Sequence, residues 1–206
     1  MTGLIEGVAA ALLRPNINTD VIAPAIRDGQ DDGFGTAGQP GTRVFGPWRY
    51  LPDGRENPEF ILNREPFRHA AFLIAGENFA CGSSRETAVI WLRAFGIRCV
   101  IAPSFGGIFF DNCFRHGILP LVLEPALVER LARQSEVGGI FALDLTECRL
   151  DSPKGPTMGF NLPDFRRSML IDGADELTMT LNSIGHVDAV QQRLRATMPW
   201  IWPGAE

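Results

Sequence analysis

The sequence predicts an α/β fold, a mixed and partly parallel sheet flanked by helices. Three observations carry that expectation. Between residues 70 and 135, apolar runs of strand length alternate with longer stretches whose apolar residues share one helical face. Strands alternating with helices imply a parallel sheet with the helices packed on it. From 140 to 161 three short strand-like runs follow one another without a helix between them, which makes the sheet mixed. The chain has 206 residues, 45% of them apolar, long enough to bury a real core as one domain spanning 1–206.

Element by element, residues 3–13 are apolar and small and read as an opening strand. Polar, turn-forming residues from Arg14 to Pro24 read as a loop. The stretch 27–58 holds seven glycines and few apolar runs, so it reads as an irregular loop, and long loops inside domains are commonly functional. Phe45, Trp48 and Tyr50 can pin part of it. Then come strand 70–75, helix 84–95, strand 98–102, helix 105–116, strand 118–123 and helix 125–135. Short strands follow near 140–145, 147–151 and 157–161. Helices are expected over Pro163–Asp172 and Val187–Thr197, and Pro163 suits a first turn, where its missing N–H is not needed.

The formal charge of -5 and the lack of basic runs with interleaved aromatics argue against a nucleic-acid binder. No apolar stretch approaches the roughly 20 residues that span a bilayer. Met1 to Arg14 lacks a basic segment before its apolar part and does not read as a signal peptide, so the cytosol is the expected location. The four cysteines, Cys81, Cys99, Cys113 and Cys148, show no metal-knuckle or cluster spacing, so no metal or cofactor is expected on this chain.

The chemistry concentrates in Ala75-Gly76-Glu77-Asn78-Phe79-Ala80-Cys81-Gly82-Ser83-Ser84-Arg85-Glu86. Two hydroxyls and a guanidinium sit where a strand hands over to a helix. Free backbone N–H groups and the positive end of the helix dipole attract anions there. Arg85 adds a planar fork suited to a carboxylate. This pattern points to recognition of a small carboxylic acid, with a serine near the reacting carbon.

These residues, with Asn18-Thr19-Asp20, Gly33-Phe34-Gly35, Ile101-Ala102-Pro103-Ser104-Phe105, Asn112-Cys113-Phe114, Leu119-Pro120 and Asp164-Phe165-Arg166, occur in a fixed order. In that order and spacing the chain resembles the small subunits of 3-isopropylmalate dehydratase, the swivelling β/β/α domain of the aconitase superfamily. The resemblance implies a hydro-lyase of leucine biosynthesis that dehydrates and rehydrates a small 2-alkylmalate. It implies a separate large subunit as partner, carrying a [4Fe–4S] cluster whose open iron binds the substrate hydroxyl and a carboxylate. Carried over by position, Ser83 is the base that removes a proton alpha to a carboxylate. Ser84 and Arg85 hold substrate, and Thr19 and Asp20 lie at the site. The 27–58 region is the expected substrate loop.

Three positions depart from the family pattern: Thr87 stands for histidine, Ala25 for lysine and Asn18 for aspartate. They leave open a paralogue acting on citramalate, dimethylmalate or another 2-alkylmalate. A reading of another class is a non-catalytic carboxylate-binding or regulatory subunit. A thiol enzyme using Cys81 would need a histidine, and only His69, His116 and His186 are available. Ser83 and Ser84 as plain helix caps, Arg85 as a surface ion-pair partner and Asp20 as a turn cap are the purely structural alternatives.

Overall fold

The structure, a computed structural model, describes residues 3–24, 40–82, 86–173, 180–181 and 183–202. Strands β1 (Leu4–Leu12), β2 (Phe72–Ala75), β3 (Cys99–Ala102) and β4 (Leu119–Val122) pair in parallel. Strands β5 (Ile140–Asp144), β6 (Arg149–Asp151) and β7 (Met158–Gly159) add to the other side of β1 as antiparallel neighbours. The sheet order is β4-β3-β2-β1-β5-β6-β7, which is the mixed sheet that the sequence predicts.

Helix α3 (Thr87–Phe95) joins β2 to β3, and α4 (Gly107–Arg115) joins β3 to β4. On one face Ala10, Leu73 and Val100 lie in register and share a core with Ala88, Val89, Trp91 and Leu92 of α3. The other face presents Ala9, Phe72 and Cys99, again in register. There Phe72 meets Phe141 with ring centroids 5.8 Å apart. Helix α5 (Pro125–Ser135) packs on β1, β2 and β3 and buries Val128, Leu131 and Ala132. Every residue of β2 and β3 is buried, as expected for strands covered on both faces.

Strand β4 is the sheet edge, and Pro120 blunts it. The Leu119 and Leu123 amides donate to Arg98 and Ala102 of the β3 side, so the backbone of the alternate residue Pro120 faces outward. Pro120 has no N–H to offer there, which removes a template for a stray strand. Helix α6 (Asp164–Asp172) packs on α4.

Two short helices lie in segments with no visible helical period. Helix α1 (Thr19–Ile22) interrupts the expected 14–24 loop, and α2 (Gly46–Arg49) lies in the irregular stretch. Of that stretch, residues 25–39 lie outside the described residues. Residues 40–58 are held by Phe45, Trp48 and Phe60, whose ring centroids are 5.8–6.4 Å apart. Buried Arg49 reinforces them: its Nε donates to Asn63 Oδ1 at 2.8 Å.

The chain divides into two compact units, 1–173 and 174–206. In the second, α7 (Ile184–Thr197) leads into a 3-10 turn, Pro199–Ile201, and buries none of its residues. Arg195 lies 4.7 Å from the Trp202 ring centroid. Among the described residues no helix is long and apolar enough to cross a membrane.

Candidate active site

Three loops leave the C-terminal ends of adjacent parallel strands: 13–18 after β1, 76–82 after β2 and 103–106 after β3. Open α/β sheets bind ligands at that end, where chain reversals leave polar groups unpaired. Here the loops are bonded into one body. The Asn16 amide donates to the Glu77 carbonyl at 2.9 Å, and Asn78 Nδ2 donates to Asn16 Oδ1 at 2.8 Å. The Asn78 amide donates to Ser104 Oγ at 2.8 Å, and the Phe79 amide to the Ser104 carbonyl at 3.0 Å. The Gly106 amide donates to the Phe79 carbonyl at 2.9 Å, closing the third side.

Close backbone approach makes two glycines obligatory. An added Cβ at Gly76 would stand 2.5 Å from the Arg14 carbonyl oxygen, and one at Gly106 would strike the Ala80 carbonyl oxygen. Beneath the loops Phe79 is fully buried, with Phe105 and Phe109 at centroid distances of 6.3 and 5.5 Å. The middle loop therefore rests on an aromatic floor.

The structure brings Thr19 to this loop. Its amide donates to the Cys81 carbonyl at 3.0 Å, and its Oγ1 lies 3.7 Å from where a Gly82 Cβ would stand. Thr19 is buried and Asp20 is exposed, both in the first turn of α1. Asn18 caps that turn, its Oδ1 accepting the Val21 amide at 2.9 Å. The cap role thus falls to Asn18 and not to Asp20. Ser83, Ser84 and Arg85 lie outside the described residues. They follow Gly82, next to Thr19, and precede Glu86, the N-cap residue of α3, whose side chain makes no capping bond. The first amides of α3 thus receive nothing from Glu86, and such amides favour an anion.

Asn78 and Ser104 lie in the motifs that the sequence singles out, but their bracing role, and that of Asn16, is not read from the sequence. A usable signal existed for two of them. Asn16 and Asn78 take φ of 56° and 54°, a region that asparagine tolerates better than most residues. The Arg14 guanidinium lies 4.7 Å from the Trp48 ring centroid.

Among the described residues no group of three or more His, Cys, Asp or Glu could hold a metal ion. Cys99 and Cys113 are buried, Cys81 and Cys148 half-buried, and all four are free thiols. Burial pushes the Cys99 thiol far up and Cys113 well above the usual thiol value, so neither is a ready thiolate. Among the described residues no histidine bonds Cys81; His69 meets Glu65 at 4.0 Å and His116 meets Glu86 at 3.3 Å. This weakens the thiol-enzyme reading.

Comparison with known proteins agrees with the geometry. The family profile described as the aconitase C-terminal domain matches residues 41–126. The chain is 41% identical over 201 residues to the 3-isopropylmalate dehydratase small subunit of Rhodospirillum centenum, covering 96% of each chain. It is 38% identical over 200 residues to the protein of the same name from Agrobacterium fabrum, covering 95% of this chain and 96% of that one. The crystal structure of 3-isopropylmalate dehydratase from Methanocaldococcus jannaschii has a similar fold. Its TM-score is 0.57 at 24% identity, covering 92% of this chain and 98% of that one.

Proposed function

The chain belongs to the 3-isopropylmalate dehydratase small-subunit family, and from that premise we propose that it isomerises 2-isopropylmalate and 3-isopropylmalate by dehydration and rehydration, as one half of a cytosolic hydro-lyase of leucine biosynthesis. One observation carries the reading: Thr19 is bonded to the Cys81 carbonyl, so the Thr19-Asp20 pair flanks the loop that runs into Ser83-Ser84-Arg85. Relatives at 38–41% identity carry the same name, which favours isopropylmalate over citramalate or dimethylmalate.

The partner is a large subunit, on which membership of this family puts the [4Fe–4S] cluster. Within this chain, Arg85 and Ser84 hold a substrate carboxylate, with Thr19 and Asp20 beside them. The Ser83 oxygen takes the proton from the carbon alpha to a carboxylate. The C–H electron pair becomes the new double bond as the C–O bond of the neighbouring carbon breaks; the hydroxide released takes up a proton to leave as water and Ser83 gives up the one it accepted, so one water is lost overall and the base is restored. Readdition with the two carbons exchanged gives the isomer. A serine oxygen is a poor base in water. It becomes adequate where fixed N–H donors and a guanidinium stabilise its anion in a dry site, each donor being worth about 10²–10³ in rate. The first amides of α3 and Arg85 are donors of that kind.

The test uses the chain alone and then assembled with a cluster-loaded large subunit, following absorbance of the unsaturated acid. Turnover is expected only in the assembly. Strong turnover by the isolated chain contradicts the proposal.

A further inference from the structure

Strands β4 and β7 are the two outermost in the sheet order, yet both line one groove of about 490 Å³. The sheet therefore curls until its two edges share this space. One wall is residues 119–123, along β4, and the other is residues 159–163, which carry the chain from β7 into α6. Phe110 and Phe114 of α4 complete the lining. The whole groove lies within the first compact unit. Three stretches singled out in the sequence meet here: Asn112-Cys113-Phe114, Leu119-Pro120 and Asp164-Phe165-Arg166. They contribute Phe114, Leu119, Pro120 and Arg166 to the lining, and none of these four has a part in the reaction proposed above.

Arg166 is the one charged side chain in the lining. Its Cζ lies 4.8 and 4.5 Å from the ring centroids of Phe110 and Phe114, two rings packed edge to face at 5.4 Å. The Arg166 Nη2 donates to Asp111 Oδ1 at 3.1 Å, whereas Nε and Nη1 donate to no group among the described residues. The rings thus fix the plane of the cation while part of its donor fork stays open. A fork held in that way fits a carboxylate, and less freedom is lost when one binds. The β4 wall does not suit an added peptide strand, because Pro120 in its middle has no N–H for a ladder. A pocket of a few hundred Å³ with apolar walls and one placed cation suits a compact ligand instead.

We propose that this groove is a second ligand site, for a small monocarboxylate that bears one aromatic or branched aliphatic group. The carboxylate accepts from Arg166, and the hydrocarbon packs on Phe110, Leu121 and Phe160. The site does not depend on the functional reading of Ser83-Ser84-Arg85.

The test is a two-dimensional NMR titration of the full chain with 3-phenylpropanoate, 3-phenylpropanamide and acetate. The phenyl acid is expected to saturate with a Kd of about 0.1–5 mM, moving the amides of Leu121, Val122, Leu123, Phe160 and Arg166 most. The amide keeps the ring without the charge, and acetate keeps the charge without the ring. Each is expected to bind about ten-fold more weakly or worse. Arg166→Gln, with the dispersed spectrum of a folded chain, is expected to weaken the acid by about ten-fold and leave the amide unchanged. An acid that does not saturate by about 50 mM, an acid and amide that bind alike, or shifts centred on other residues each overturn the site. The titration is repeated after assembly with the large subunit. Persistent binding is expected; its loss would mean that the partner subunit covers the groove, and would overturn a ligand site there.

Discussion

Ser104 Oγ accepts the Asn78 amide at 2.8 Å across 26 residues of sequence. That bond joins the loop after β3 to the loop that carries the proposed serine base, and Asn78 passes the connection on to Asn16. Ser104→Ala leaves the Asn78 N–H without its acceptor, at a cost of about 1–3 kcal/mol. Urea unfolding is expected to show a lower midpoint at unchanged slope, and the assembled enzyme to lose activity in parallel. An unchanged midpoint would mean that the three loops are not one mechanical body.

Gly76→Ala tests the same junction from the backbone. The added carbon would meet main-chain atoms of Leu13 and Arg14 at 2.5–2.6 Å, and main chain cannot swing aside as a flexible side chain can. The expected loss is about 1–3 kcal/mol or more. Gly159→Ala is the control. Nothing lies within 4 Å of its added carbon, and a change within about 0.5 kcal/mol is expected. Equal effects at the two positions would remove the close approach as the reason for Gly76.

Arg49 holds the described part of the irregular stretch. Besides Asn63 it donates to the carbonyls of Gly41 and Thr42 at 3.1 and 3.3 Å, and it lies 4.9 Å from the Phe95 ring centroid. Burial lowers its pKa from the usual arginine value. Arg49→Met strands Asn63 Oδ1 and is expected to cost about 2–3 kcal/mol in denaturant unfolding. Arg49→Lys keeps the charge but not the planar fork, so it recovers only part of the loss.

The buried thiols set an alkaline limit on stability. Desolvation raises the Cys99 and Cys113 values above the unfolded one, so between the two values the unfolded chain has released protons that the folded chain still holds. Their contribution is complete below about pH 8.5 and falls as pH rises, by about 1.4 kcal/mol per thiol per pH unit. Unfolding measured between pH 8 and 10 is expected to show this decline, and Cys99→Ala to flatten it. In the native protein a thiol reagent is expected to modify Cys81 and Cys148 first, with Cys99 and Cys113 reacting only in denaturant.

The alternation from 70 to 135 was legible because each element there satisfies its own local rule. Helix α5 spans Pro125–Ser135 as its apolar period requires, with proline at its start. The strands of the sheet centre are uninterrupted apolar runs. Helices α1 and α2 were not legible, since four residues cannot display a period. Phe45 at φ 56° contradicts its own propensity and is held there by Trp48 and Phe60. Ser83-Ser84-Arg85 stand out in the sequence as candidate chemistry and lie outside the described residues; of the other expected site residues, Thr19 is bonded to the loop that leads to them. The locks Asn16–Asn78 and Asn78–Ser104 span 62 and 26 residues, and no local pattern encodes such distances.

Ser83→Ala, assembled with the cluster-loaded large subunit and assayed on 2-isopropylmalate, tests the central claim most directly. Turnover is expected to vanish while the subunits still associate and the small subunit melts as the wild type does. Near-normal turnover in that assembly would show that another group takes the proton.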